Sequence, residues 1–181
     1  MIDRHLITLA IALQHIDDDV PRLQAWGQTV ASVLIAGGRL FTCGSGSSAQ
    51  QARHLVTELT HPEDDRPPLA VGMLPVRSDG RDDYQPGDIV LCLSAIEADE
   101  QVASVAATAG ESGMTSWALT GPTPNAVAAA CAEAISVDAA VTSTIEEVHL
   151  AAIHILCAAV NSAVRDTIQL TASAEDPLAV R

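Results

Sequence analysis

The chain has 181 residues, enough for one domain with a substantial core. It is 48% hydrophobic but only 2% aromatic, so that core has to be built from Ala, Val, Leu and Ile. Nine Lys and Arg against 23 Asp and Glu give a formal net charge of −14, which argues against nucleic acid or an anionic membrane as a direct partner.

The opening stretch, MIDRHLITLAIALQHIDDD, is too acidic and interrupted for a secretion signal. No apolar run reads as long enough to span a membrane, so the expectation is a soluble, cytoplasmic protein. The four cysteines, Cys43, Cys92, Cys131 and Cys157, form no C-x-x-C pair and lie in apolar runs. They read as buried reduced thiols rather than disulfides or zinc knots.

Residues 2–36 read as two helices. Leu6, Leu9, Leu13 and Ile16 recur at helical spacing, and Asp17–Val20 breaks the pattern. Asp19 is the expected cap of the second helix, with Pro21 in its first turn. Leu23, Trp26, Val30, Val33 and Leu34 share its apolar face, and Gly37-Gly38 ends it. Such a helical pair ahead of a sheet packs on the sheet or on another subunit.

Five apolar runs follow that have strand length: Leu40–Cys43, Leu69–Leu74, Asp88–Ser94, Thr115–Leu119 and Ala134–Val137. Helices are expected from Ala49, over Ala98–Ala109, from an Asn125 cap to about Ala132, and from Ser143 to about Val164. Ser143-Thr144-Ile145-Glu146 has the pattern of a capping box. His61–Pro68 and Pro75–Gly87 read as polar turn segments and Thr171–Arg181 as a frayed tail. The alternation predicts an α/β fold with a doubly wound five-stranded parallel sheet. Its parts would be an N-terminal helical segment (1–36), an α/β domain (37–170) and the tail (171–181). Ligands of such sheets sit beyond the carboxyl ends of the strands.

The Gly44-Ser45-Gly46-Ser47-Ser48 turn falls at such an end, before a helix whose first N–H groups are free to hold a polar ligand. Within that helix His54 and Glu58 are spaced i, i+4 and share a face. The last helix carries Glu146, Glu147, His149 and His154. Together these are the imidazoles and carboxylates that zinc or a similar divalent ion takes. Glu146 and His154 lie about 12 Å apart along a helix axis. Glu147 lies nearer the stripe of His154, and Glu146-x-x-His149 is a second same-face pair, so spacing alone leaves the ligand set open. His149 reads as structural, and His154 as a ligand or a hydrogen-bonded core residue. Glu97 and Asp99 read as solvent-facing.

The segments GGRLFTCGSGSSAQQARHLVTELT and STIEEVHLAAIHILCAAV resemble the sugar isomerase domain family, in its phosphoheptose isomerase branch. The resemblance runs from about Gly37 to Val160. It implies a Rossmann-like sheet, aldose–ketose isomerisation of a sedoheptulose 7-phosphate-like sugar, zinc, and a homo-oligomer (tetramer or dimer). It places the metal ligands on His54, Glu58, Glu146 and His154, with Glu146 standing where the family has Gln, and the acid/base pair on Glu58 and His154. Substrate contacts fall to Ser45 and Ser48 in the first loop, Ser94 in the second, and Ser143 where the family has Asp.

The second loop departs from the family pattern S-T-S-G-N-S, reading Ser94-Ala95-Ile96-Glu97-Ala98-Asp99, and carries two carboxylates where the family wraps a phosphate. This implies a substrate without the usual phosphate, or one held differently. It also keeps a second hypothesis in play: a non-catalytic scaffold that binds a sugar or a protein, like the replication-initiator-associating members. A dinucleotide-binding reading fails for want of G-x-G-x-x-G.

Overall fold

The computed structural model describes residues 2–61, 68–76 and 84–174, with side chains described from residue 4 to residue 171. Most of the two polar turn segments and the end of the tail lie outside the described residues. The elements are α1 (Ile2–Ile16), a 3-10 turn (Asp17–Asp19), α2 (Val20–Ile35), β1 (Leu40–Gly44), α3 (Ser48–Thr60), β2 (Val71–Met73), β3 (Ile89–Ser94), α4 (Glu100–Glu111), β4 (Thr115–Thr120), α5 (Ala126–Ala130), β5 (Glu133–Ser136) and α6 (Thr142–Ala174).

All five strands are parallel, in the order β2-β1-β3-β4-β5, as the alternating pattern predicts. Successive side chains of a strand point to opposite faces, and two cores result. Ile89, Leu91 and Leu93 of β3, with Trp117 and Leu119 of β4, join the core under α1, α2, α3 and α6. Val90, Cys92 and Ala118 join the core under α4 and α5. This explains why β3 reads as an unbroken apolar run: every residue from Ile89 to Ser94 is buried.

With so few aromatics, one pair of large rings and many small side chains shape the larger core. Trp26 of α2 stacks on Trp117 of β4 with ring centroids 4.8 Å apart. Its indole N–H donates to Glu133 Oε2 at 3.1 Å, and Arg22 donates to the Ala134 carbonyl at 2.8 Å, so α2 is fixed to β5 as well. Gly27 lets α2 lie against α6, since a Cβ there would fall 2.4 Å from that of Ala159.

Several expected boundaries shift for local reasons. Asp19 does not cap α2 through its side chain; its carboxylate pairs with Arg22 at 3.3 Å. Of the α1 stripe, Ile16 is buried and Leu9 and Leu13 pack partly, but Leu6 is 57% exposed. The fourth helix starts after Asp99 because that side chain caps it, accepting from Val102 N. Asn125 caps α5 as predicted. α6 continues through Ala174, so residues 171–174 belong to a helix and not to a tail.

That length also corrects the membrane reading. Thr142–Thr171 has the length and mean hydropathy, 1.5, of a membrane span. Its apolar character has another cause here: Ile145, Val148, Ala152, Ile153, Leu156 and Val160 are buried in the core. None of the four cysteines is in a disulfide; Cys43, Cys92 and Cys157 are buried and Cys131 is partly exposed. Cys92 lies 3.4 Å from Cys43, and its thiol pKa is pushed well up, first by hydrogen bonding to Cys131, then to Cys43, and then by burial.

Candidate active site

α3 and α6 both begin at the carboxyl edge of the sheet and run side by side in the same direction. One face of α3, residues 47, 51, 54 and 58 at helical spacing, lies along α6. Ser47 Oγ donates to Glu146 Oε1 at the top of this seam. One turn on, Gln51 Nε2 donates to the Glu146 carbonyl at 2.5 Å. A further turn brings His54 Nε2 to 2.9 Å from His154 Nε2, across 100 residues of sequence. Glu58 Oε1 lies 3.8 Å from His54 Nε2.

The rings of His54 and His154 meet edge to face, with centroids 5.1 Å apart. With both imidazoles neutral, a ring N–H of one donates to the lone pair of the other. A divalent cation shared by the two nitrogens would need them farther apart. Two nitrogens on one tetrahedral zinc stand about 3.3 Å apart, so a few tenths of an ångström of separation would seat it. Glu58 supplies a carboxylate next to the pair. His154 is exposed, which rules out the core-residue alternative for it.

Glu146 is not gathered in. Its carboxylate turns to Ser47, and among the described residues no three His, Cys, Asp or Glu side chains form a metal-binding group. The capping box does not form either, because α6 starts at Thr142, with Thr144 N and Ile145 N bonded to the Val141 carbonyl. Glu147 is held aside by His5 at 3.0 Å. His149 is structural: fully buried, it contacts the Thr120 carbonyl through Nε2 at 3.1 Å. Burial lowers its pKa to about 4, against a raising influence from that carbonyl bond and from Glu146.

The serines divide in the same way. Ser48 and Ser94 are 3% and 1% exposed, and Ser94 Oγ donates to the Ile96 carbonyl. Ser143 is exposed near the start of α6. Ser45 Oγ donates to Asp99 Oδ2 at 2.5 Å. Asp99 is 5% exposed, which corrects its solvent-facing assignment, whereas Glu97 is exposed as expected. Gln51 was missed from sequence. Its side-chain oxygen is buried without a hydrogen-bond partner, and its place one turn before His54 on the same face was the available signal.

No family model matches the sequence. The chain is 36% identical to a phosphoheptose isomerase of Streptomyces coelicolor over 182 residues, which covers 88% of this chain and 77% of that one. Its fold is similar to a phosphoheptose isomerase from Francisella tularensis, with a TM-score of 0.77, 21% identity and 89% and 96% of the two chains covered. A phosphoheptose isomerase from Neisseria gonorrhoeae gives a TM-score of 0.76 at 22% identity, over 89% and 97% of the chains. The two structures establish the shared fold. The identity to the Streptomyces protein, sustained over most of both chains, establishes that this chain belongs to the phosphoheptose isomerase family.

Proposed function

We propose that the chain interconverts an aldose and a ketose, acting on a sugar or sugar phosphate of the sedoheptulose 7-phosphate type, at the α3–α6 seam. The observation that carries this is the meeting of His54 and His154 at 2.9 Å with Glu58 beside them. An imidazole and a carboxylate on one small patch are what proton transfer between adjacent carbons needs. One group of the Glu58–His154 pair takes the proton from the carbon next to the carbonyl, leaving an enediol. The pair returns a proton to the former carbonyl carbon as the hydroxyl hydrogen passes between the two oxygens, so product and substrate have the same formula.

His54, Glu58 and His154 would hold a divalent cation such as zinc, with Glu146 joining if it leaves Ser47. A cation bound there polarises the carbonyl and its neighbouring hydroxyl. Supporting this is the donor chemistry alone, two imidazole nitrogens and a carboxylate. Exposed Leu6, Ile7 and Ile11 on α1 favour burial against a second copy of the chain, in keeping with a dimer or tetramer.

The test is sugar isomerisation by the purified chain and by Glu58→Gln and His154→Ala. Loss of a proton-transfer group lowers kcat by about a hundredfold or more. Turnover unchanged in both variants would overturn the assignment. A wild-type chain that binds sugar without turning it over would favour the scaffold.

A further inference from the structure

Three of the four thiols gather on one face of the sheet, in the core under α4 and α5. Cys43 of β1 and Cys92 of β3 are register partners on neighbouring parallel strands, and their side chains join the same core. The two Sγ atoms are 3.4 Å apart, and both residues are fully buried. Cys131 follows directly on α5 and packs against that core from its rim, partly exposed. Its thiol is hydrogen-bonded to that of Cys92. Cys157 lies in the other core.

The rim thiol is also the one whose surroundings favour the thiolate. Ala132 N donates to Ser116 Oγ at 3.2 Å, and the Ser116 hydroxyl hydrogen is left to donate to Cys131. The bond from Cys92 lowers the Cys131 pKa from its ordinary value, burial opposes it, and the Ser116 bond lowers it further. Cys92 is pushed the other way and keeps its proton. A thiolate that solvent reaches, bonded to a thiol that solvent does not, lets oxidation pass inward: the first meets the oxidant and the second resolves the product.

We propose that Cys131 and Cys92 are a modification site, a dithiol that hydrogen peroxide converts to a disulfide. The Cys131 thiolate attacks one peroxide oxygen and the O–O bond breaks. A sulfenic acid forms, and the hydroxide released takes a proton to become water. The Cys92 sulfur then attacks the Cys131 sulfur, the S–O bond breaks, and that oxygen leaves as a second water with the Cys92 proton. The two thiols lose two electrons and two protons, and one peroxide becomes two waters. Cys43, buried behind Cys92, is shielded from the oxidant, and a thiol reductant restores the pair. The site is independent of the isomerase reading, which uses none of these residues.

The experiment takes the full chain, reduced and freed of reductant, and treats it with hydrogen peroxide. Remaining thiols are blocked with N-ethylmaleimide under denaturing conditions and mapped by mass spectrometry after pepsin digestion. Two of the four thiols are expected to be lost, joined as Cys92–Cys131 within one chain, while Cys43 and Cys157 carry the blocking group. In Cys92→Ser the sulfenic acid at Cys131 has no resolving partner and is trapped by dimedone. In Cys131→Ser, oxidation of Cys92 is expected to slow by about tenfold or more. The proposal is overturned if Cys92 of the wild type stays a thiol while Cys131 proceeds to sulfinic acid, or if the bridge joins Cys43 to Cys92 or links two chains. Four intact thiols under conditions that oxidise the amino acid cysteine, or an unchanged rate at Cys92 in Cys131→Ser, overturn it equally.

Discussion

Replacing Gly27 by alanine sets two physical effects against each other, and the structure decides the sign. Gly27 is buried in α2, and helix propensity alone predicts that alanine stabilises by about 1 kcal/mol. The new Cβ would lie 2.4 Å from Ala159 Cβ and 3.1 Å from the Ala159 carbonyl carbon and Val160 nitrogen of α6. Carbon atoms pack at about 3.5–4.0 Å, so the helices must part by roughly 1 Å. Overpacking of this kind costs about 1–3 kcal/mol, more than the propensity gain. The net expectation is destabilisation of about 1 kcal/mol, or a fall in Tm of about 2–4 °C for a domain of this size. Urea and thermal unfolding measure it. The Ala159→Gly background is expected to recover part of the loss, because it removes the 2.4 Å contact but leaves the two backbone contacts at 3.1 Å. A more stable Gly27→Ala protein would show that the helices do not approach this closely.

Two further outcomes follow from the site's surroundings. Burial holds His149 at a pKa of about 4, below its ordinary value of about 6.5, so the unfolded chain takes up a proton that the folded chain refuses. Stability contributed by the neutral imidazole is complete above pH about 6.5 and is lost as pH falls towards 4, a loss of roughly 3 kcal/mol. Urea midpoints of wild type and His149→Asn between pH 7.5 and 4.5 test this; an equal decline in both proteins would remove His149 as its source. Asn125→Ala removes the cap bonds to Val127 N and Ala128 N and the bond to the Ile96 carbonyl, and is expected to cost about 1–2 kcal/mol in thermal unfolding. No loss would mean that the loop after β3 is held by other contacts.

The fold was largely legible because its signals are local. Ile89–Ser94 is buried on both faces and reads as a strand from composition alone, and Asn125 is a cap wherever its neighbours lie. The site was legible as pairs but not as a whole. His54 and Glu58 announce themselves at i, i+4, and the resemblance supplied His154; their meeting is a long-range fact.

Two of the misreadings share a cause, a partner distant in the chain. Glu146 fits a capping box by spacing, but the start of α6 at Thr142 and the nearness of Ser47 redirect its carboxylate. Asp99 looks like a solvent-facing acid in sequence, and Ser45, distant in the chain, makes it a buried link. α6 was cut short at Val164 because its apolar density thins there, yet hydrogen bonding carries the helix to Ala174.

The central claim is that α3 and α6 bring His54 and His154 together as one metal-competent proton-transfer site. Zinc-edge anomalous diffraction from crystals grown with zinc tests it most directly. The account predicts a single strong peak in contact with both Nε2 atoms and the Glu58 carboxylate, lost in His54→Ala. Crystals that show no peak there, with the two rings turned apart, would contradict it.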